Sequence, residues 1–258
     1  MSKSFENPEA SAQVGAQGYA PPVMVPVIQY HMIDRPSSNS RVRGGFTPPE
    51  RFSRQMAYLK SHGFKFYTAA ELIDHYQSDQ QFPRSAITIT FDDGCRDNYT
   101  NAFPVLRELG IKATMFVVPS CIGETTAKPL AMGEEPRPHM TREEILEMSR
   151  HGIEFGSHTM NHRLLHQIPL ADVKEEVQSA KRFLEDFLQH PCKTFAYPAG
   201  YCNSEVEQII KEAGHTCAFS TIHGPKDRID LYAINRVEIL RRDRFLFQFA
   251  RKVKPFAG

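Results

Sequence analysis

The stretch Ile87-Thr88-Ile89-Thr90-Phe91-Asp92-Asp93-Gly94 runs β-branched and aromatic residues straight into two adjacent carboxylates. A run this short, apolar on both alternating faces, predicts a strand over Ala86–Phe91 that is covered on both sides, as in the parallel sheets of α/β proteins. Its carboxyl end then carries two charges that oppose each other's ionisation. A bare Asp-Asp-Gly also reads as an Asp-Gly turn with solvated side chains. The neighbouring segments must decide between the two.

Outward from this strand, short β-branched or aromatic runs alternate with helical-period stretches. Val25–Tyr30 reads as a strand and Pro48–Ser61 as a helix on the amino-terminal side. Downstream come a helix over Phe103–Leu109 stopped at Gly110, a strand over Thr114–Val118, and a helix opened by Thr141 with Glu144 in capping-box spacing. Ile153–Gly156 and Thr194–Tyr197 read as strands. Between them Leu170, Val173, Val177, Ala180, Leu184 and Phe187 mark one helical face. A helix capped by Ser204 and ending at Gly214, a strand over Thr216–Ser220 and a strand-like Ile234–Ile239 complete the pattern. Alternation of this kind predicts an α/β domain with a largely parallel sheet, open or closed into a barrel, over residues 23–258. Residues 1–22, poor in large apolar side chains and ending in Pro21-Pro22, read as a disordered leader.

Composition narrows the function. With 31 Lys plus Arg against 30 Asp plus Glu, the net charge of +1 provides no global field for nucleic acid. The apolar run Val23–Ile28 is interrupted by Pro26 and falls far short of the ~20 residues of a transmembrane helix. No basic start followed by an apolar stretch opens the chain. Five cysteines without CxxC spacing fit free thiols in a reducing compartment, and a cytoplasmic location is expected.

In parallel α/β folds the chemistry gathers at the carboxyl ends of strands. After Ile153–Gly156 comes Ser157-His158-Thr159-Met160-Asn161-His162, with two imidazoles four residues apart; on one helical turn both could reach one metal. Alone, such a pair is also ordinary surface or capping chemistry. Combined with the two carboxylates it forms an Asp/His/His set with room for water, as a catalytic metal site requires. His166, one turn on, is left out because Leu164 and Leu165 indicate packing. At the third strand end, Tyr197-Pro198-Ala199-Gly200 stops the strand at a proline and frees the Ala199 amide to point into the site.

The motifs TFDDG, SHTMNH and AYPAG, in this order and at these separations, resemble those of the polysaccharide deacetylase family, carbohydrate esterase family four, over Val25 to about Ile239. The opening strand Val25–His31 and the helix Phe52–Gly63 look like those of its permuted poly-N-acetylglucosamine deacetylase branch. The resemblance implies a distorted (β/α) barrel of about seven units, one divalent metal ion, most often zinc, and hydrolysis of an N-acetyl group on a sugar, oligosaccharide or sugar-linked carrier. It makes Asp93, His158 and His162 the metal ligands and Asp92 the base that deprotonates the attacking water. Tyr197, Pro198, Ala199 and Gly200 become the substrate and oxyanion segment. His31 is the acid for the leaving amine, with His223 its rival. Many family members hold the base with an arginine two residues before the motif proline; here that position is Ala196. The acidic-tryptophan motif is absent too, since the chain has no Trp. Arg236 is the replacement cation expected beside Asp92.

Two other readings stand beside the N-deacetylase: an O-deacetylase or deformylase on the same site, and a non-catalytic carbohydrate-binding relative. Arg241, Arg242, Arg244, Arg251, Lys252 and Lys254, interleaved with Phe245, Leu246, Phe249 and Val253, finally outline a basic amphipathic segment over 241–254. Such a segment either lies on an anionic membrane surface or closes the barrel with its apolar stripe.

Overall fold

A computed structural model of the chain describes residues 24–41, 43–78, 82–127, 135–221 and 229–253. The element order is β1 (Val27–Tyr30), α1 (Pro49–Ser61), β2 (Lys65–Tyr67), α2 (Ala69–Tyr76), β3 (Ala86–Phe91), α3 (Phe103–Leu109) and β4 (Ala113–Val117). A two-stranded antiparallel pair, β5 (Thr125–Thr126) and β6 (Arg137–Pro138), is followed by α4 (Arg142–Arg150) and β7 (Ile153–Ser157). Then come α5 (Leu170–Leu188), β8 (Thr194–Ala196), α6 (Ser204–Glu212), β9 (Cys217–Ser220), β10 (Ile234–Asn235), β11 (Val237–Glu238) and α7 (Leu246–Val253).

The main sheet is parallel and runs β10-β9-β8-β7-β4-β3-β1-β11. Its two outer strands are consecutive in sequence: Ile234 pairs with Phe219 of β9, and Val237 pairs with Ile28 of β1. One stave, interrupted at Arg236, thus bridges both edges and all but closes the sheet into a (β/α) barrel. Residues alternate across it. Ile28, Tyr30, Ile87, Ile89, Phe91, Met115 and Phe155 face the surrounding helices, whereas Val27, Ala86, Phe116, Ala196, Cys217 and Phe219 fill the interior. Gly156 leaves the room that Phe116 needs, since a Cβ there would lie 2.6 Å from its ring.

β2 and α2 were not evident from periodicity. β2 shares with β4 the edge of β3 opposite β1, and α2 brings Ala69, Leu72 and Ile73 against the interior cluster, plugging the amino-terminal mouth. Thr68 and Glu71 cap α2 reciprocally, while Thr114 Oγ1 and Glu154 accept from its Ala69 and Ala70 amides at 2.8 and 3.0 Å. The capping box of Thr141 and Glu144 forms as its spacing requires. At α6 the cap is Asn203, not Ser204: Asn203 Oδ1 accepts from the Val206 amide at 2.9 Å, and Ser204 is the first helical residue.

The basic segment at the carboxyl end divides into two parts. Phe249 and Val253 of α7 are fully buried, Phe249 meeting Tyr58 of α1 edge to face, so this stripe closes the barrel. Phe245 and Leu246 remain exposed. Residues 1–23 and Lys254 lie outside the described residues. No helix among the described residues is long and apolar enough to cross a membrane.

Candidate active site

The two carboxylates that end β3 part company through backbone geometry. Asp92 keeps the strand's inward alternation, whereas Asp93 (φ 75°) and Gly94 (φ 74°) both take left-handed conformations that swing the Asp93 side chain away. Glycine at 94 is required twice over, because a Cβ there would also press on Val117 at 3.1 Å. Thr159 (φ 66°), His162 (φ 55°) and Ala199 (φ 56°) are strained in the same sense. Four of the five positive-φ non-glycine residues among those described therefore belong to these three strand ends. Strain on this scale persists only where the surroundings over-determine it.

Asp92 is 2% exposed and fully paired. Arg236 Nη1 donates to its Oδ1 and Nη2 to its Oδ2, both at 2.7 Å, and Gln29 Nε2 donates to Oδ2 at 2.7 Å. Burial opposes ionisation of Asp92, but the Arg236 charge and its two guanidinium hydrogen bonds outweigh it and hold the carboxyl well below the usual carboxylate range. Arg236 is itself wholly buried, with its guanidinium 5.6 Å from the Phe116 ring centroid. It comes from the barrel-closing stave, while Ala196, two residues before the motif proline, offers only its carbonyl.

That carbonyl has its own use. It accepts from His158 Nδ1 at 2.7 Å, which fixes the tautomer and turns the Nε2 lone pair inward. His158 Nε2 and His162 Nε2 then lie 3.6 and 3.5 Å from Asp93 Oδ1. Burial and the neighbouring His158 push the His162 pKa down to about 4, so that imidazole is neutral at physiological pH. Two atoms each bonded at about 2.1 Å to one tetrahedral ion stand about 3.4 Å apart. The observed separations, with all three ligand atoms within 4.8 Å of one another, fit a divalent cation of zinc size.

The loop that carries the two histidines is not a helical turn, as their spacing had allowed. It is an irregular segment held from behind by α5. Glu176 accepts from the Asn161 amide at 2.8 Å and from its side-chain Nδ2 at 2.9 Å, and the Glu176 carbonyl accepts from the Met160 amide. His31 follows β1 and lies beside Asp92, in line with the register Tyr30 to Phe91. Its buried Nδ1 has no hydrogen-bond partner among the described residues.

Other expected residues fall elsewhere. Tyr197 points outward into the helix-facing layer and donates to the Tyr232 carbonyl at 2.9 Å, so this segment can offer the site only its backbone there. Pro198, Ala199 and Gly200 form a tight turn at the carboxyl end of β8. His166 is exposed against Tyr201, and His223 lies outside the described residues. Gln29 and Glu176 escaped sequence reasoning; Gln29 sits two residues before His31, on the same inward face, and that was the available signal.

The polysaccharide deacetylase family model matches residues 79–218, which include both carboxylates, both histidines and the Pro198 turn. The chain belongs to the polysaccharide deacetylase family. His31 and Arg236 come from the flanking segments. The Bacillus subtilis protein YxkH is 29% identical over 84% of this chain and 72% of its own. A Staphylococcus aureus poly-beta-1,6-N-acetyl-D-glucosamine N-deacetylase is 30% identical over 71% of this chain, which spans 64% of that relative's length. Among solved structures, the Streptococcus pyogenes deacetylase PplD in complex with acetate superposes with a TM-score of 0.76 at 25% identity, covering 91% of this chain and all of that one.

Proposed function

We propose that this family member is a metal-dependent hydrolase that removes the N-acetyl group from an N-acetylated sugar, oligosaccharide or sugar-linked carrier. The observation that carries the reading is the convergence of Asp93, His158 and His162 beside an ionised, buried Asp92. Opposed carboxylates on a sugar-binding surface would have no such need of a buried guanidinium and a fixed imidazole tautomer. Asp93, His158 and His162 would hold a divalent cation, with zinc suited to two imidazoles and one carboxylate. Bound there, the cation supplies Lewis acidity to water and to the acetyl carbonyl.

The chain's own groups do the rest. Asp92 accepts the proton of the attacking water; its Oδ1 carries one hydrogen bond against two on Oδ2, which leaves a lone pair for that task. Arg236 and Gln29 prevent rotation of the carboxylate. The Ala199 amide stabilises the oxyanion as the carbonyl becomes tetrahedral. His31, beside Asp92 at the carboxyl end of β1, delivers a proton to the amine as the C–N bond breaks.

Acetate release from a panel of N-acetylated glycans, lipid-linked sugars and nucleotide sugars, with chelator and after return of metal, tests the reading. Chelator should abolish release and zinc or cobalt restore it. Release only from O-acetylated sugars, or release indifferent to chelator, would overturn it. We also propose a cytoplasmic location, supported by five cysteines, none of them in a disulfide; cell fractionation tests it.

A further inference from the structure

We infer that the rim of the barrel beside α1 and α7 is a docking surface for an anionic membrane, with arginines for the phosphate headgroups and an apolar triplet for the acyl boundary. Phe245, Leu246 and Phe247 are 60%, 42% and 60% exposed, and the two phenyl rings stack on each other in solvent with centroids 5.6 Å apart. Three large apolar side chains in sequence, left in water beside a helix whose own stripe is buried, form a patch that the fold does not use.

Next to them lies a cleft of about 180 Å³ lined by Arg51, Arg54, Gln55, Arg244, Phe245 and Leu246. Its charge is only partly offset. The nearest acids are committed elsewhere: Glu50 pairs with Arg35 at 2.8 Å, and Asp243 with Lys252 at 2.7 Å. Among the described residues no ion pair engages Arg54, Arg242 or Arg244. Arg51, whose Nη1 donates to the Arg241 carbonyl, has its pKa lowered first by burial and further by the Arg244 and Arg54 charges, with Glu50 and Asp243 opposing. The guanidinium groups are therefore close enough to repel one another, and an anion between them relieves that repulsion.

A soluble polyanion would engage the arginines and leave the apolar triplet in water. A bilayer interface takes both, the phosphates on Arg51, Arg54 and Arg244 and the phenyl rings at headgroup depth. The patch also sits at the working end of the molecule. Residues 241–245 follow the carboxyl end of β11 and α1 follows the loop from β1, the same end that carries His31 and Asp92. Docking would hold the catalytic mouth close to the membrane plane.

Flotation of the full chain with phosphatidylcholine vesicles, with and without 30 mol% phosphatidylglycerol, at low and high salt, tests this. Binding should require the anionic lipid and weaken with salt. Each of Arg54→Gln and Arg244→Gln should reduce partitioning about fivefold. Phe245→Ser with Phe247→Ser should abolish it, while acetate release from a soluble oligosaccharide and the melting temperature stay unchanged. No flotation with anionic vesicles, equal flotation with neutral ones, or flotation undiminished by either pair of substitutions would overturn the proposal. So would binding to soluble polyphosphate that survives in the Phe variant together with its vesicle binding.

Discussion

Arg236 grips Asp92 through two parallel 2.7 Å hydrogen bonds at the point where the barrel's last stave crosses from β9 to β1. The residue that closes the barrel is thus also the one that keeps Asp92 ionised. Because the Asp92 pKa is depressed, its ionised form contributes stability that is complete above about pH 4 and lost as pH falls through the folded value. Arg236→Ala leaves a buried carboxylate with Gln29 alone; breaking such a pair typically costs about 3–5 kcal/mol. It should lower the melting temperature at neutral pH and move the acid limb of the pH–rate profile upward. Arg236→Lys keeps the charge but loses the fork, so activity should fall more than stability. A pH–rate profile for Arg236→Ala superimposable on wild type would show that the pair does not set the base.

The two carboxylates should separate cleanly in their effects. Asp92→Asn leaves Asp93, His158 and His162 untouched, so it should retain bound metal while losing about 10²–10⁴-fold in turnover. Asp93→Asn and His158→Ala should instead lose metal content, measured on the purified protein. His31→Ala should behave like Asp92→Asn, with metal retained and turnover reduced. Metal loss in Asp92→Asn with retention in Asp93→Asn would exchange the two roles.

Glu176 touches neither metal nor substrate position, yet it holds the backbone and side chain of Asn161, the residue before His162. Outer partners of this kind typically govern metal affinity by about 10–100-fold. Competition against a chelating dye should show such a loss in Glu176→Ala and a smaller one in Asn161→Ala. The double variant should be no worse than Glu176→Ala, since both act on one network. Glu154→Gln is the control: that glutamate accepts from Thr114, Thr194 and Ala70 at the opposite mouth and should lower stability without changing metal affinity.

What could be read from the sequence, and what could not, follows from how local each signal is. Phe91-Asp92 and the stretch before His158 were legible because a doubly buried strand has an unmistakable composition, and a charge at its end is costly without a partner. Arg236 stood out as a cation inside a strand-like run. The conformation of the histidine loop was not legible: spacing of four suits a helical turn, but Thr159 and His162 take positive φ in a segment that Glu176 ties to α5. Gln29 gave only a weak signal, its place two residues before His31 on the same strand face; the register of β1 on β3 is what brings it to Asp92. β2 and α2 could have been found from Thr68-x-x-Glu71, a capping box followed by Leu72 and Ile73. The carboxyl-terminal helix illustrates the reverse case, a hydrophobic stripe whose outer half does not pack.

The last prediction concerns a carboxyl outside the catalytic set. Asp97 follows the β3 turn and accepts from the Ile33 amide at 2.6 Å and from Asn98 Nδ2 at 3.0 Å, with Arg137 Nη1 3.9 Å from its other oxygen. Burial pushes its pKa up to about 7; the Asp34 charge adds to the rise, while the Ile33 amide and Arg137 oppose it. An unfolded aspartate titrates near 3.9. Between about pH 4 and pH 7 the folded chain therefore keeps a proton that the unfolded chain has released, so stability falls as pH rises through that window. A shift of this size corresponds to roughly 4 kcal/mol. Asp97→Asn keeps the acceptor for the Ile33 amide and removes the titration. Its melting temperature should exceed that of wild type at pH 8 and converge with it toward pH 4. Measuring both proteins saturated with the same metal cancels the contributions of Asp93, Cys95 and the histidines. Parallel melting curves across that range would mean that Arg137 and the amides already hold Asp97 ionised, and that this turn is stabilised by the charge rather than in spite of it.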